Sequence, residues 1–433
     1  MKRFTAIAFV ALLAFYCAAV SVAVLSPLNP FGGGRWLSRG GDYGLRMAEI
    51  ECLMKGVNPF DVWHGDVVTK PYVPLGGPAA GKFAGEDGFD ELINAYPPWE
   101  YVMMMPFALL PRAIAWPLYF LGMMAGLLVV LAVGRRFCRL AAGLGPEAGL
   151  VVGVSSILFA GLPIYQNFHA GNFAVPVLVA TALMAVCLNR GKDALAGVCW
   201  AFAMLKPQIG LAFAVPLLML RRYKTCFVAA GICLALSVVP ALMCHASPVD
   251  MIFQGARGST YAFMGSGTFP CFLREFLPGD SGIIAGLLVG AIICAVMTRM
   301  LCASGARDHV VILMPAAVVG ASWTYAQCFN YSMNWFFFVV LFASMAKWPK
   351  ERFLWAIAAL AAVFMTRLYN LTHMLPKVLP RVFPEFLPEE SWHYHIDSFV
   401  SSVGIALTFA FCAWLARRLK CAQTHATQNK ESA

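Results

Sequence analysis

The chain has 433 residues, of which 60% are apolar and 12% charged, with a formal net charge of +10. A water-soluble globule carries about 45–50% apolar and 25% charged residues, so that class is excluded. The basic excess does not point to nucleic acid either: the Lys and Arg lie in short clusters between hydrophobic runs, where membrane topology needs them and anionic lipid headgroups meet them.

Many apolar runs long enough to cross about 30 Å of hydrocarbon predict an all-α polytopic membrane protein. Met1-Lys2-Arg3 precedes the run Phe4–Leu25. That run is long for a signal-peptide core and further spans follow, so residues 4–25 read as an uncleaved signal-anchor with a cytoplasmic N-terminus. Residues 26–112 then form a long exported loop. Within it, Gly41 to Trp63 reads GDYGLRMAEIECLMKGVNPFDVW. Asp42 heads a short amphipathic surface helix with Tyr43, Met47, Ile50 and Met54 on one face. Gly56 closes the helix and Asn58-Pro59 turns the chain away.

After Tyr96-Pro97-Pro98-Trp99-Glu100, the apolar piece Tyr101–Leu110 is too short for a span and reads as a re-entrant or interfacial helix. A span from Ala113 to Gly134 follows, ending on cytoplasmic Arg135-Arg136-Phe137-Cys138-Arg139. Ala148–Leu162 runs out to the turn Tyr165–Asn172, and Phe173–Leu188 returns to Asn189-Arg190-Gly191-Lys192. Ala194–Leu205 and Ile209–Leu220 form a hairpin whose tip, Lys206-Pro207-Gln208, points to the exported side because both outer ends are basic. Cys226–Met243 leads to an exported loop, His245–Ser281. Gly282–Thr298, Val310–Ala326, Trp335–Met345, Leu354–Thr366 and Phe399–Leu415 complete about ten spans, in a topology with both termini cytoplasmic. A last exported loop runs from Arg367 to Ser398. Residues 113–420 are thus the bundle and 421–433 a polar tail, all in one membrane domain, 1–433. The fourteen cysteines form no CxxC or Cys/His metal spacing, and most behave as small hydrophobes.

Asp42 reads two ways. As an N-cap it satisfies orphan helix N–H groups; as a carboxylate fixed at the membrane surface it is a base. Lys206 likewise is either a snorkelling loop lysine or a cation waiting for an anionic lipid group. An isolated charge at mid-membrane would cost roughly 2.5–3.5 kcal/mol.

The order of these motifs resembles the integral-membrane glycosyltransferases of the GT-C superfamily, specifically glycosyltransferase family 87. The resemblance rests on four stretches: Asp42-Tyr43 through Gly56-Val57-Asn58-Pro59-Phe60; Tyr96-Pro97-Pro98-Trp99 leading to Pro106–Pro111; the Gly171-Asn172 turn; and Ala196-Gly197 through Lys206-Pro207-Gln208. At the third, the family's usual Gly-Gln-Asn stands as Ala170-Gly171-Asn172. That family contains the polyprenyl-phosphate-mannose-dependent α-mannosyltransferases. The resemblance implies a GT-C fold of about 10–12 transmembrane helices, sited in the cell membrane with its active site on the exported face. It also implies transfer of a hexose, mannose by resemblance, from a polyprenyl-phosphate donor to a hydroxyl of a lipid or glycan acceptor, with inversion. Asp42 would be the base and Lys206, with Arg257, Arg274 or Arg367, would bind the donor phosphate. Tyr43, Arg46, Asn58, Tyr96, Trp99, His169, Asn172 and Gln208 would line the sugar or acceptor site. Membrane lipids would be the other partners, and no metal or cofactor is demanded, though some GT-C enzymes use a divalent cation.

Competing readings make different demands. A flippase or transporter predicts midplane charges and an internal repeat. A lipid-linked glycan ligase or polymerase would use the late loop with His373, His393 and His395. An inactive relative would keep Asp42 as a cap alone.

Overall fold

A computed structural model of the chain describes residues 41–62, 96–142, 168, 171–263, 269–274, 277, 280–323, 405–406 and 409–421. These residues contain helices and no strand. In chain order they are α1 (Gly41–Met54), α2 (Pro59–Val62), α3 (Pro98–Ala108), α4 (Arg112–Ala142), α5 (Ala174–Asn189) and α6 (Asp193–Ala203). Next come α7 (Pro207–Gly210), a 3-10 turn (Leu211–Phe213), α8 (Ala214–Met219), α9 (Tyr223–Met243), α10 (Pro248–Phe263), α11 (Phe269–Arg274), α12 (Asp280–Ala303) and α13 (His309–Ser322). Residues 409–421 are also helical. The expected first span at 4–25, the spans at 148–162, 335–345 and 354–366, and the loop 367–398 lie outside the described residues.

At the centre stands α13, apolar on every side and buried at all its positions, as a helix without a polar face must be. It packs on α5, on α12 and on the broken helix α7–α8. Helix α5 also packs against α6 and α4, and α9 packs against both α6 and α3. The two helices long and apolar enough to cross a membrane among the described residues are Tyr223–Met243 and Ser281–Ala303, only 28% and 39% buried over their most apolar stretches. Phe227, Leu234, Leu242, Ile284, Leu288 and Ile292 therefore face outward from them. An apolar surface of that extent is unusual for a protein in water.

The hairpin expected around Lys206 is present. Its two outer ends are tied together: Arg222 Nη1 donates to Asp193 Oδ1 at 3.2 Å, and Thr225 Oγ1 donates to the Asp193 carbonyl at 3.1 Å. The clasp extends to α13. Arg222 Nη2 lies 3.4 Å from His309 Nε2, and His309 Nδ1 lies 2.7 Å from Asn189 Oδ1. A guanidinium can only donate, so Nε2 accepts and Nδ1 carries the proton. Asn189 Nδ2 in turn donates to Asp308 Oδ1 at 3.0 Å, and the same oxygen caps α13 through Val310 N at 2.8 Å.

Several boundaries differ from expectation. The span predicted to end at Gly134 continues to Ala142. Arginine is a good helix former, so a basic cluster does not stop the helix. The loop His245–Ser281 contains α10 and α11; Pro248 fits the first turn of α10, where its missing N–H costs nothing. Helix α1 is buried beyond the apolar face that the sequence marks. Tyr43, Met47, Ile50 and Leu53 are buried, as are Arg46 and Glu49, while Met54 is exposed. It closes at Gly56, whose φ of +73° lets Gly56 N reach Leu53 O at 2.9 Å and Val57 N reach Cys52 O at 3.1 Å, the paired bonds of a Schellman ending. Because α1 packs along α3, the described side chains of its middle turns are buried or half-buried, while Met54 in its last turn is exposed.

Candidate active site

The turn that organises the site is Tyr96-Pro97-Pro98-Trp99. Two prolines stiffen it, and Pro98 starts α3 where no N–H is needed. One end faces α1: the Arg46 guanidinium lies 4.3 Å from the Tyr96 ring centroid, within cation–π range. Tyr96 also meets Phe173 edge-on at 5.6 Å. The other end reaches the hairpin, where Trp99 Nε1 donates to the Met204 carbonyl at 2.9 Å.

That carbonyl is accessible because Pro207 interrupts the helix. Proline has no N–H to offer upstream carbonyls, so the turn before it needs outside donors. Trp99 supplies one, while Trp200 Nε1 donates to Gly210 O at 2.8 Å on the far side of the break. Two indoles thus brace the turn that carries Lys206. The lysine is 5% exposed, not dangling from a loop tip, and its Nζ donates to Asn172 Oδ1 at 3.1 Å. The same oxygen accepts from Ala174 N at 2.9 Å. Both partners are donors, which identifies the amide oxygen and fixes the Asn172 orientation.

The residue before Asn172 joins this pair to α1. Gly171 has φ +65°, and a Cβ there would lie 2.6 Å from Tyr43 Cβ and 2.8 Å from Trp116 Cζ3. Only a glycine allows so close an approach in that backbone conformation. Tyr43 packs against Trp116 at 5.1 Å and Tyr119 at 4.9 Å between ring centroids. Tyr119 Oη donates to the Gly171 carbonyl at 3.3 Å. The start of α1, the Gly171-Asn172 turn and the Lys206 turn are therefore contiguous.

Tyr43, Arg46, Tyr96, Trp99, Asn172 and Lys206 belong to this assembly. Gln208, half-buried, is the second residue of α7. Asn58 caps α2, accepting from Phe60 N at 3.1 Å, and donates to Gln254 of α10 at 3.3 Å. Asp42 is the second residue of α1, not the residue before it, and Arg257 and Arg274 lie in α10 and α11; the side chains of all three are outside the described part. His169 and Arg367 are outside it altogether. Among the described residues no group of three His, Cys, Asp or Glu is placed as metal ligands would be.

The sequence reading missed a second buried polar group. Arg46 pairs with Glu49 at 2.5 Å, and Glu100 acts on the same guanidinium from α3. Glu49 and Glu100 are 3% and 0% exposed. Burial raises the Glu49 carboxyl to about 7, against the pull of Arg46 and of a bond from Tyr101 in the other direction. Arg46 is stabilised as a cation: burial opposes its charge, but Glu49 and then Glu100 more than reverse that. Two signals were available in the sequence, an Arg and a Glu at i,i+3 spacing and a lone carboxylate opening the apolar run after Trp99.

Residues 94–324, more than half of the chain, match the model of glycosyltransferase family 87. The chain belongs to glycosyltransferase family 87. It is therefore an enzyme, a glycosyltransferase, and the transporter reading falls. Neither a curated protein nor a solved structure matches it. In this family 87 glycosyltransferase the matched stretch opens beside Tyr96 and includes Gly171-Asn172 and Lys206, while α1 precedes it.

Proposed function

We propose that this glycosyltransferase is a multi-pass membrane enzyme that moves a hexose, mannose in the first instance, from a polyprenyl-phosphate donor to an acceptor hydroxyl on the exported face. The observation that carries the reading is the Lys206 ammonium, buried against Asn172 at 3.1 Å and one residue from the contact between Gly171 and the start of α1. A buried cation beside a hydrogen-bonding amide suits a phosphate, whose charge must be met as it leaves. The outward apolar faces of α9 and α12 suit lipid and a donor with a lipid tail.

Asp42 is the base. As the acceptor oxygen forms its bond to the sugar's anomeric carbon, the hydroxyl proton passes to the Asp42 carboxylate. The bond from that carbon to the phosphate oxygen breaks, and its electron pair leaves with the polyprenyl phosphate. One displacement inverts the centre, and the stabilised phosphate needs no general acid. Lys206 meets the departing charge, with Arg257, Arg274 or Arg367 adding a forked contact. Tyr43, Tyr96, Trp99, His169, Asn172 and Gln208 border the sugar and acceptor, while Arg46 and Asn58 hold the wall behind them.

The test is transfer by the purified full chain in lipid nanodiscs, using a panel of radiolabelled polyprenyl-phosphate hexoses with alkyl glycoside acceptors. Turnover is expected from the mannose donor, and Asp42→Asn is expected to abolish it with the thermal unfolding midpoint unchanged. Turnover only from nucleotide sugars would reject the lipid donor, and appreciable activity in the variant would reject the base.

A further inference from the structure

The Arg46–Glu49 pair has no place in the displacement, yet it is one of the most deeply buried polar features among the described residues. We propose that Arg46 and Glu49 form a positioning pair that holds α1, and with it Asp42, in register with the Tyr96–Trp99 turn, and that the pair works only while Glu49 is ionised. This rests on Asp42 being the base.

Three observations carry it. First, Arg46 lies four residues after Asp42, one helical turn along the same face, so what fixes Arg46 fixes the start of α1. Second, the guanidinium is held from two elements at once. Glu49 grips it at 2.5 Å from its own helix, and the Tyr96 ring lies under it at 4.3 Å. Trp99, three residues beyond Tyr96, bonds the Met204 carbonyl two residues before Lys206. A continuous chain of contacts thus runs from the helix of the base to the turn of the phosphate-binding lysine. Third, the two side chains are turned to each other and to Glu100 and Tyr101 of α3, so both act through α1 and not on the sugar.

The ionisation requirement follows from the donor set. A guanidinium only donates, and a charged carboxylate is its strongest acceptor. The groups acting on Glu49 are Arg46 and, from α3, the Tyr101 phenol; Cys52 lies a turn further along α1, and Glu100 reaches Arg46 from α3. Helix α9 meets α1 at the Met243 end through backbone, its carbonyl 3.4 Å from the Cβ position of Gly56. With Glu49 protonated, Glu100 is the carboxylate left to draw Arg46, and the tie within α1 is reduced to a neutral carbonyl acceptor, the weaker partner of a guanidinium. Burial sets this titration at about 7, so turnover falls as pH drops through that value.

Stability should move the other way. The folded state holds the Glu49 proton between pH 4.5 and about 7, where the unfolded chain has released it. Folding stability therefore declines as pH rises through that window. Glu49→Gln, permanently neutral and of equal size, leaves Glu100 to balance Arg46 and should be at least as stable as the parent at pH 8. A role confined to packing would make stability and activity fall together.

The experiment uses the full chain in nanodiscs with the donor and acceptor that give turnover, plus hydrogen exchange across residues 41–54. Misplacing a base by roughly 1 Å costs on the order of a hundredfold. Glu49→Gln is expected to lower kcat by about that factor with donor KM little changed. It should also remove the acid limb near pH 7, reduce α1 protection at pH 8 and leave the unfolding midpoint undiminished. Arg46→Lys should lose kcat similarly, since an ammonium keeps the charge but not the planar fork over Tyr96. Parental kcat, acid limb and α1 protection in Glu49→Gln would overturn the proposal, as would loss of activity only in step with unfolding. Asp42→Asn separates the two levels: inactive Asp42→Asn beside fully active Glu49→Gln rejects the pair and keeps the base. Active Asp42→Asn rejects the base and the positioning role together.

Discussion

Replacing Gly171 by alanine tests whether α1 and the Lys206–Asn172 pair form one site. The backbone there has φ +65°, and placing an L residue in that region costs about 1–2 kcal/mol. The added methyl would lie 2.6 Å from Tyr43 Cβ and 2.8 Å from Trp116 Cζ3, whereas carbon atoms settle at about 3.5–4.0 Å. Tyr43 and Trp116 are braced by Tyr119, so relief requires α1 and α4 to retreat by roughly 1 Å. Overpacking of this kind costs about 1–3 kcal/mol, for a sum of about 2–5 kcal/mol. Thermal unfolding in nanodiscs should fall by at least a few degrees, roughly in line with that sum. Activity should fall further, on the order of a hundredfold, because the displacement separates the start of α1 from Asn172 and Lys206. Assayed well below the lowered midpoint, the variant should stay folded and be nearly inactive. A Gly171→Ala enzyme with parental midpoint and kcat would refute the contact and the contiguity built on it.

Two further outcomes are expected. Lys206→Met keeps the buried volume and removes the charge; donor binding should weaken by about 10-fold or more, as expected when a charged hydrogen bond of about 1.5–3 kcal/mol is lost. Titration of the reconstituted variant with polyprenyl phosphate measures this, and unchanged affinity would remove Lys206 from the phosphate site. The clasp at the other end of the hairpin predicts a pH effect on stability. His309 stands at the mouth of α13, outside the apolar stretch that begins at Val310, and burial and then Arg222 lower its affinity for a proton. The folded state thus favours neutral imidazole: stabilisation is full above the ordinary value of about 6.5 and declines as pH falls through it. His309→Gln should flatten the pH 5–7 part of the unfolding profile; an unaltered slope would show that another group sets it.

The pieces of the candidate site were legible in the chain as separate motifs. Prolines and tryptophan marked the Tyr96 turn, a lysine before proline between two apolar helices marked the hairpin tip, and glycine marked the Gly171 turn. Each signal is local, set by backbone constraint or by the cost of a charge among apolar residues, so one sequence suffices to read it. The side of α1 that becomes buried was less legible. A face reading selects Tyr43, Met47 and Ile50, but whether a helix lies on a surface or is enclosed depends on what packs over its polar side.

By itself, then, the sequence determined the helices and apolar runs seen among the described residues, the break at Pro207 and the family resemblance borne out by the match over residues 94–324. Tertiary structure alone decided that Lys206 is buried against Asn172 and that Glu49 and Glu100 share Arg46. It also decided that Asp193, Arg222, His309 and Asn189 close one clasp. These partners come from helices that are distant in the chain or from faces whose neighbours are unknown until the bundle packs. Burial, which turns an ordinary carboxylate into one titrating at about 7, is a property of that packing. The stretch first marked by Asp42 is accordingly a helix pinned to the Tyr96 turn through Arg46, and its charge pair is a consequence of the fold.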